Sequence, residues 1–95
     1  MNVLSYLLNY DGPGLVTVRC RRCGKVSARV VETPDDGAVW VPAKRQSIVR
    51  LTAHVVYWTP TLRATCGHHV ANVPTGRVVD AVEQARANGH NSFSA

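Results

Sequence analysis

The chain predicts an α+β domain, built mostly of antiparallel β-hairpins and closed by one C-terminal α-helix. Three observations predict it. Apolar residues alternate with polar ones over several short runs, the period of a half-buried strand, and these runs are separated by Gly- and Pro-containing turns. A helical stripe follows Thr75-Gly76. Two short turns, Cys20-Arg21-Arg22-Cys23-Gly24-Lys25 and Cys66-Gly67-His68-His69, hold all three cysteines and two of the four histidines.

Taken in order, Met1 to Tyr10 carries Val3, Leu4, Leu7 and Leu8 at a helix-like spacing. It also reads as a strand running into the turn Asp11-Gly12-Pro13-Gly14, with a hairpin onto Leu15–Arg19, and strand is the reading preferred here. After the first cysteine turn, Val26, Ala28 and Val30 alternate with Ser27 and Arg29 as a half-buried strand. Thr33-Pro34-Asp35-Asp36-Gly37 turns the chain into a short apolar strand, Ala38 to Val41, stopped by Pro42. Ala43 to Gln46 is a basic link.

Ser47 to Trp58 is the longest strand expectation, with Val49, Leu51, Ala53, Val55 and Tyr57 on one face. Its other face is mixed, and His54 on it reads as a packed or solvated residue more readily than as a metal ligand. Thr59-Pro60 returns the chain through Thr61–Thr65 to Cys66. Val70 to Val73 continues as strand. Thr75 then caps a helix whose stripe is Val78, Val79, Val82 and Ala85 with Ala81, and Gly89 ends it. Residues 1–88 are expected to form one metal-stabilised domain and 89–95 a short C-terminal tail.

The spacing of the cysteines carries the chemistry. Cys-x-x-Cys lets a tight turn aim both thiolates at one ion, and Gly24 can leave that turn with positive φ. Cys66 supplies a third sulfur. His69 is the preferred fourth ligand, with His68 as the alternative. One structural Zn²⁺ suits this soft set of sulfur and imidazole donors. A redox pair would normally open a helix after a strand, whereas Val26–Val31 reads as strand. A disulfide would leave one cysteine over.

The turn Cys20–Lys25 resembles the zinc knuckle of the zinc-ribbon proteins, in which two knuckles on β-hairpins share one zinc. The resemblance implies a zinc-ribbon-like arrangement, and it covers Cys20–Lys25 well and Cys66–His69 in part. Two departures stand out. The second turn has histidine where most ribbons have cysteine and lacks a glycine just after it. The 42-residue spacer from Gly24 to Thr65 also requires inserted strands.

Composition narrows the function. Ninety-five residues make one domain, and a chain this short gains from a metal cross-link because its core is small. No apolar run approaches the roughly 20 residues of a membrane span. With no lysine or arginine before Arg19, the start does not read as a signal or transit peptide, and a soluble, cytoplasmic protein is expected. The net charge is +5, carried by nine arginines and two lysines. Arg19, Arg21, Arg22, Lys25 and Arg29 gather around the first knuckle with no acid between Gly12 and Val31, a set suited to the phosphates of nucleic acid or to an acidic protein surface.

Trp40, Tyr57 and Trp58 could stack on bases, but core packing is the preferred reading. Catalysis is not expected, because four ligands fill a zinc site and no carboxylate stands near either knuckle. The His-Asn-His nucleases also carry zinc knuckles, but their aspartate–histidine pair is missing and His90-Asn91 falls past the helix. Two functions follow as expectations. One is a zinc module that binds nucleic acid or the transcription or translation machinery. The other is a zinc-stabilised protein-interaction or assembly subunit, as in a virus particle.

Overall fold

The computed structural model describes residues 3–44 and 48–95. Its elements run α1 (Val3–Asn9), β1 (Leu15–Arg19), β2 (Val26–Thr33), β3 (Gly37–Pro42), β4 (Val49–Arg50), α2 (Ala53–Trp58), β5 (Thr61–Thr65), β6 (Val70–Pro74), α3 (Thr75–Asn88) and β7 (His90–Ser94). The fold is α+β and mostly antiparallel, with a long C-terminal helix, as the alternation and the late stripe predict. The main sheet has the order β4-β3-β2-β1-β7, and β5 and β6 form a separate two-stranded sheet.

Alternation along the strands sends side chains to two faces. Val16, Val18, Ala28, Val30 and Trp40 point to the face covered by α3 and the small sheet, where Leu62, Ala64, Val73, Val78, Val82 and Ala85 complete the larger core. Trp40 is 1% exposed and its Nε1 donates to the Arg63 carbonyl at 2.9 Å, which ties the main sheet to β5. The opposite face gathers Val31, Val39 and Val41 around Leu7 of α1. The strands of the main sheet therefore separate two layers of helix.

Four local expectations are corrected. The strand expected over Met1–Tyr10 does not form where it can be followed: Val3–Asn9 is α1, and Met1 and Asn2 lie outside the described residues. A seven-residue helix is marginal alone, and this one is held by partners distant in sequence. Leu7 is buried under the sheet, and the Arg29 guanidinium donates to the carbonyls of Leu7, Leu8 and Tyr10 at the helix's C-terminal end. Arg29 is thus a capping residue and not part of an exposed contact edge. Burial lowers its pKa. Arg29→Met, which keeps an apolar stem and removes the donors, is expected to cost about 1.5–3 kcal/mol. Urea unfolding checks the loss, and hydrogen exchange should show α1 opening first.

The long strand expected over Ser47–Trp58 is also broken up. Ser47 lies outside the described residues, and Val49–Arg50 pairs with β3 as a two-residue strand. The Leu51 amide then bonds Ala38, and the Thr52 hydroxyl accepts the Val55 amide to start α2. The helix carries the chain away from the edge of the sheet to β5. Val49 and Leu51 keep their place against the core, whereas Tyr57 and Trp58 are 79% and 68% exposed. Of the three aromatic residues considered for stacking, only Trp40 is a core residue.

At α3, Thr75 is not the cap. Pro74 occupies that position, and the Thr75 hydroxyl donates instead to the Thr59 carbonyl. Finally, 89–95 is no loose tail. Residues 90–94 form β7, parallel to β1, after α3 makes the crossover a parallel pair needs. Its polar sequence hides the alternation, but Phe93 packs against the core and lies under the Arg77 guanidinium, 4.5 Å from the ring centroid.

Candidate metal centre

Each knuckle is the tip of a hairpin. The first joins β1 to β2: the Cys20 amide donates to the Lys25 carbonyl at 2.7 Å and the Gly24 amide to the Cys20 carbonyl at 2.9 Å. Gly24 has φ +75°, the left-handed conformation expected of the glycine that leaves the turn. The second joins β5 to β6, with Cys66 and His69 facing each other through a Cys66 amide to His69 carbonyl bond of 3.3 Å. Its glycine stands inside the turn, where Gly67 has φ +101° and its amide bonds the Thr65 hydroxyl at 3.1 Å. The second knuckle therefore has its permissive residue one step after the cysteine.

The two tips meet. One ligand atom from each of Cys20, Cys23, Cys66 and His69 lies within 4.8 Å of every other. His69 Nδ1 is 3.6 Å from Cys20 Sγ and 3.6 Å from Cys66 Sγ. A tetrahedral ion with metal–sulfur bonds of about 2.3 Å and metal–nitrogen bonds of about 2.0–2.1 Å would separate sulfur from nitrogen by about 3.6 Å. The two observed edges fit that shell. His69, and not its neighbour His68, belongs to the group, and His54 does not. Cys20 and Cys66 are buried, His69 is half-buried and Cys23 is exposed, so the site opens to solvent along the first knuckle.

Proton chemistry suits metal capture. The His68 amide holds the Cys66 thiol down to about 5 against the opposing effect of burial, with the His69 amide and the neighbouring Cys23 and His69 side chains adding to it. The Lys25 amide favours the Cys23 thiolate, but hydrogen bonds with Cys66 and Cys20, together with residual burial, keep its proton on and raise it overall. The cluster thus offers a ready thiolate at Cys66 beside the Cys23 thiol, which a cation would deprotonate on binding. Four such residues could coordinate one metal ion.

Around the site, Arg19, Arg21, Arg22 and Lys25 are exposed. Arg19 also braces the knuckle by donating to the Gly24 carbonyl at 3.1 Å. Arg29 points the other way, to α1. Lys44 joins the set from β3's exit: a Cβ on Gly67 would lie 3.3 Å from its Cγ. Its place in the basic link Ala43–Gln46 was the available signal; Arg45 and Gln46 lie outside the described residues. Among the described residues no helix is long and apolar enough to cross a membrane. Comparison with family models, with curated proteins and with solved structures gives no match, so the site is read from its own geometry.

Proposed function

We propose that the chain is a small, non-enzymatic zinc module of zinc-ribbon type, whose basic knuckle binds nucleic acid, free or within the transcription or translation machinery. Cys20, Cys23, Cys66 and His69 would hold one structural Zn²⁺. Three sulfurs and an imidazole favour zinc over the oxygen-seeking cations. Arg19, Arg21, Arg22 and Lys25, with Lys44 beside them, form the contact edge. The observation that carries this reading is the meeting of two hairpin tips in a four-donor shell rimmed by exposed cationic side chains. A full shell leaves no coordination site for a water nucleophile, and the donor group contains no carboxylate to act as a base. Zinc held by thiolates also suits a reducing compartment such as the cytoplasm.

A second reading, a protein-interaction or assembly subunit, draws on the exposure of Tyr57 and Trp58 on α2. Salt separates the two. An edge neutralising about four phosphates should lose roughly a hundredfold in affinity for a labelled oligonucleotide between 50 and 200 mM salt. Arg21→Ala with Arg22→Ala should lower the salt slope by about 2 and leave the fold intact. Fluorescence anisotropy reads both. Absence of oligonucleotide binding, or binding indifferent to salt, would transfer the function to protein partners.

A further inference from the structure

Beside the first knuckle lies an open cleft of about 250 Å³, and one wall of it is β6. All five consecutive residues Val70–Pro74 line this cleft. Side chains alternate between the faces of a strand, so an unbroken run of lining residues means that the cleft runs along the strand's edge.

The register shows what that edge offers. Cys66 bonds His69 at one end of the hairpin, and the Thr75 amide bonds the Pro60 carbonyl at 3.0 Å at the other. Bonded and non-bonded pairs alternate between these ends, which makes Thr65↔Val70, Arg63↔Asn72 and Thr61↔Pro74 the non-bonded ones. The outward Arg63 carbonyl on β5, taken by Trp40, agrees with this phase. On β6 the amides and carbonyls of Val70 and Asn72 therefore point away from β5 and into the cleft. Among the described residues no backbone group pairs with them. They are about 7 Å apart, the repeat of two residues in an extended chain.

The charged side chains of the cleft are all cationic, and Ala95, the last residue of the described chain, also lines it. Arg21, Arg22 and Arg77 line it and no Asp or Glu does. Val70, 62% exposed at the same edge, is an apolar side chain that an added strand would cover.

We propose that this cleft receives an extended, acidic segment of a partner protein, which pairs with Val70 and Asn72 as a third strand of the small sheet. The backbone ladder supplies affinity, and Arg21, Arg22 and Arg77 select carboxylates through bidentate hydrogen bonds. A nucleic acid strand would satisfy the arginines, but it has no alternating amide and carbonyl groups to match the edge of β6. The proposal is independent of whether the knuckle also binds phosphate.

The test uses the full metal-loaded chain and a labelled six-residue peptide alternating glutamate and valine. Saturable binding is expected, with at least tenfold slower exchange of the Val70 and Asn72 amides. Asn72→Pro removes one outward donor at a position where an edge strand tolerates proline. It should weaken the peptide at least tenfold while oligonucleotide affinity stays unchanged. If that variant does not fold, a peptide N-methylated on the residues facing β6 applies the same test to the unaltered protein and should fail to bind. Unchanged exchange at Val70 and Asn72, or equal binding of the methylated peptide, would overturn the proposal. So would an oligonucleotide, and not the peptide, protecting those two amides.

Discussion

Cys66→Ser is expected to yield a chain without stable tertiary structure at 25 °C. Cys66 is 2% exposed and sits where the small sheet meets the first knuckle, so its loss opens the donor shell and separates two hairpins. Structural zinc sites contribute about 10–16 kcal/mol of apparent binding energy in small domains. A domain of this size has a net stability of roughly 5–14 kcal/mol. A core of mainly valine and alanine would have little to offset the loss of such an ion. Near-ultraviolet circular dichroism should lose its Trp40 signal, and a chelator should do the same to the unaltered protein.

Acid should act at the same place. A thiol held down to about 5 against an ordinary value of 9 favours the folded state fully above 9. That contribution fades as pH falls and is gone below about 5, where protons also compete with the metal for the ligands. Metal release on acid titration is therefore expected to set in near pH 5 and to be complete only below it.

The second large effect is at Trp40. Trp40→Ala should destabilise the fold by about 3–5 kcal/mol through the cavity it leaves. The Arg63 carbonyl would also lose its donor, at a further cost of roughly 1–3 kcal/mol if water cannot reach it. Trp40→Phe separates the two effects. It keeps most of the volume, removes the indole N–H, and should cost about 1–2 kcal/mol. Urea midpoints of the two variants check the ordering. Equal losses would mean that the bond to β5, rather than packing, holds the layers together.

What was legible in the chain was local. The Cys-x-x-Cys turn, the alternation in β2 and the valine–alanine stripe of α3 each carry their signal within a dozen residues, and each formed as read. The distant pair Cys66 and His69 was legible because metal ligands are few and chemically distinctive. The failures share a cause in partners remote in sequence. Residues 3–9 become helix because Arg29, some twenty positions on, takes the carbonyls at the helix end. The helix-like spacing of Val3, Leu4, Leu7 and Leu8 was in the segment, but nothing in Val3–Asn9 itself announced the partner that decides between helix and strand.

The same limit hid two further elements. Alternation over Val49–Tyr57 is a sound strand pattern, but the pairing with β3 extends over two residues only, and Thr52 then begins a helix. β7 forms from a polar segment because the free edge of β1 supplies its hydrogen bonds, a property of the sheet rather than of His90–Ser94. Arg29 shows the consequence for function. It counted with the basic knuckle by position along the chain, yet the pleat sends its side chain to the opposite face from Ala28 and Val30.

In the proposed function one ion joins the two hairpin tips. The measurement that tests this most directly is elemental mass spectrometry of protein purified without added metal, with Cys20→Ser and Cys66→Ser alongside. One zinc per unaltered chain, and none retained by either variant, is the predicted result. A well-folded chain carrying no metal would contradict it, and Cys20 and Cys23 would then stand as thiols whose meeting with Cys66 and His69 serves some other chemistry.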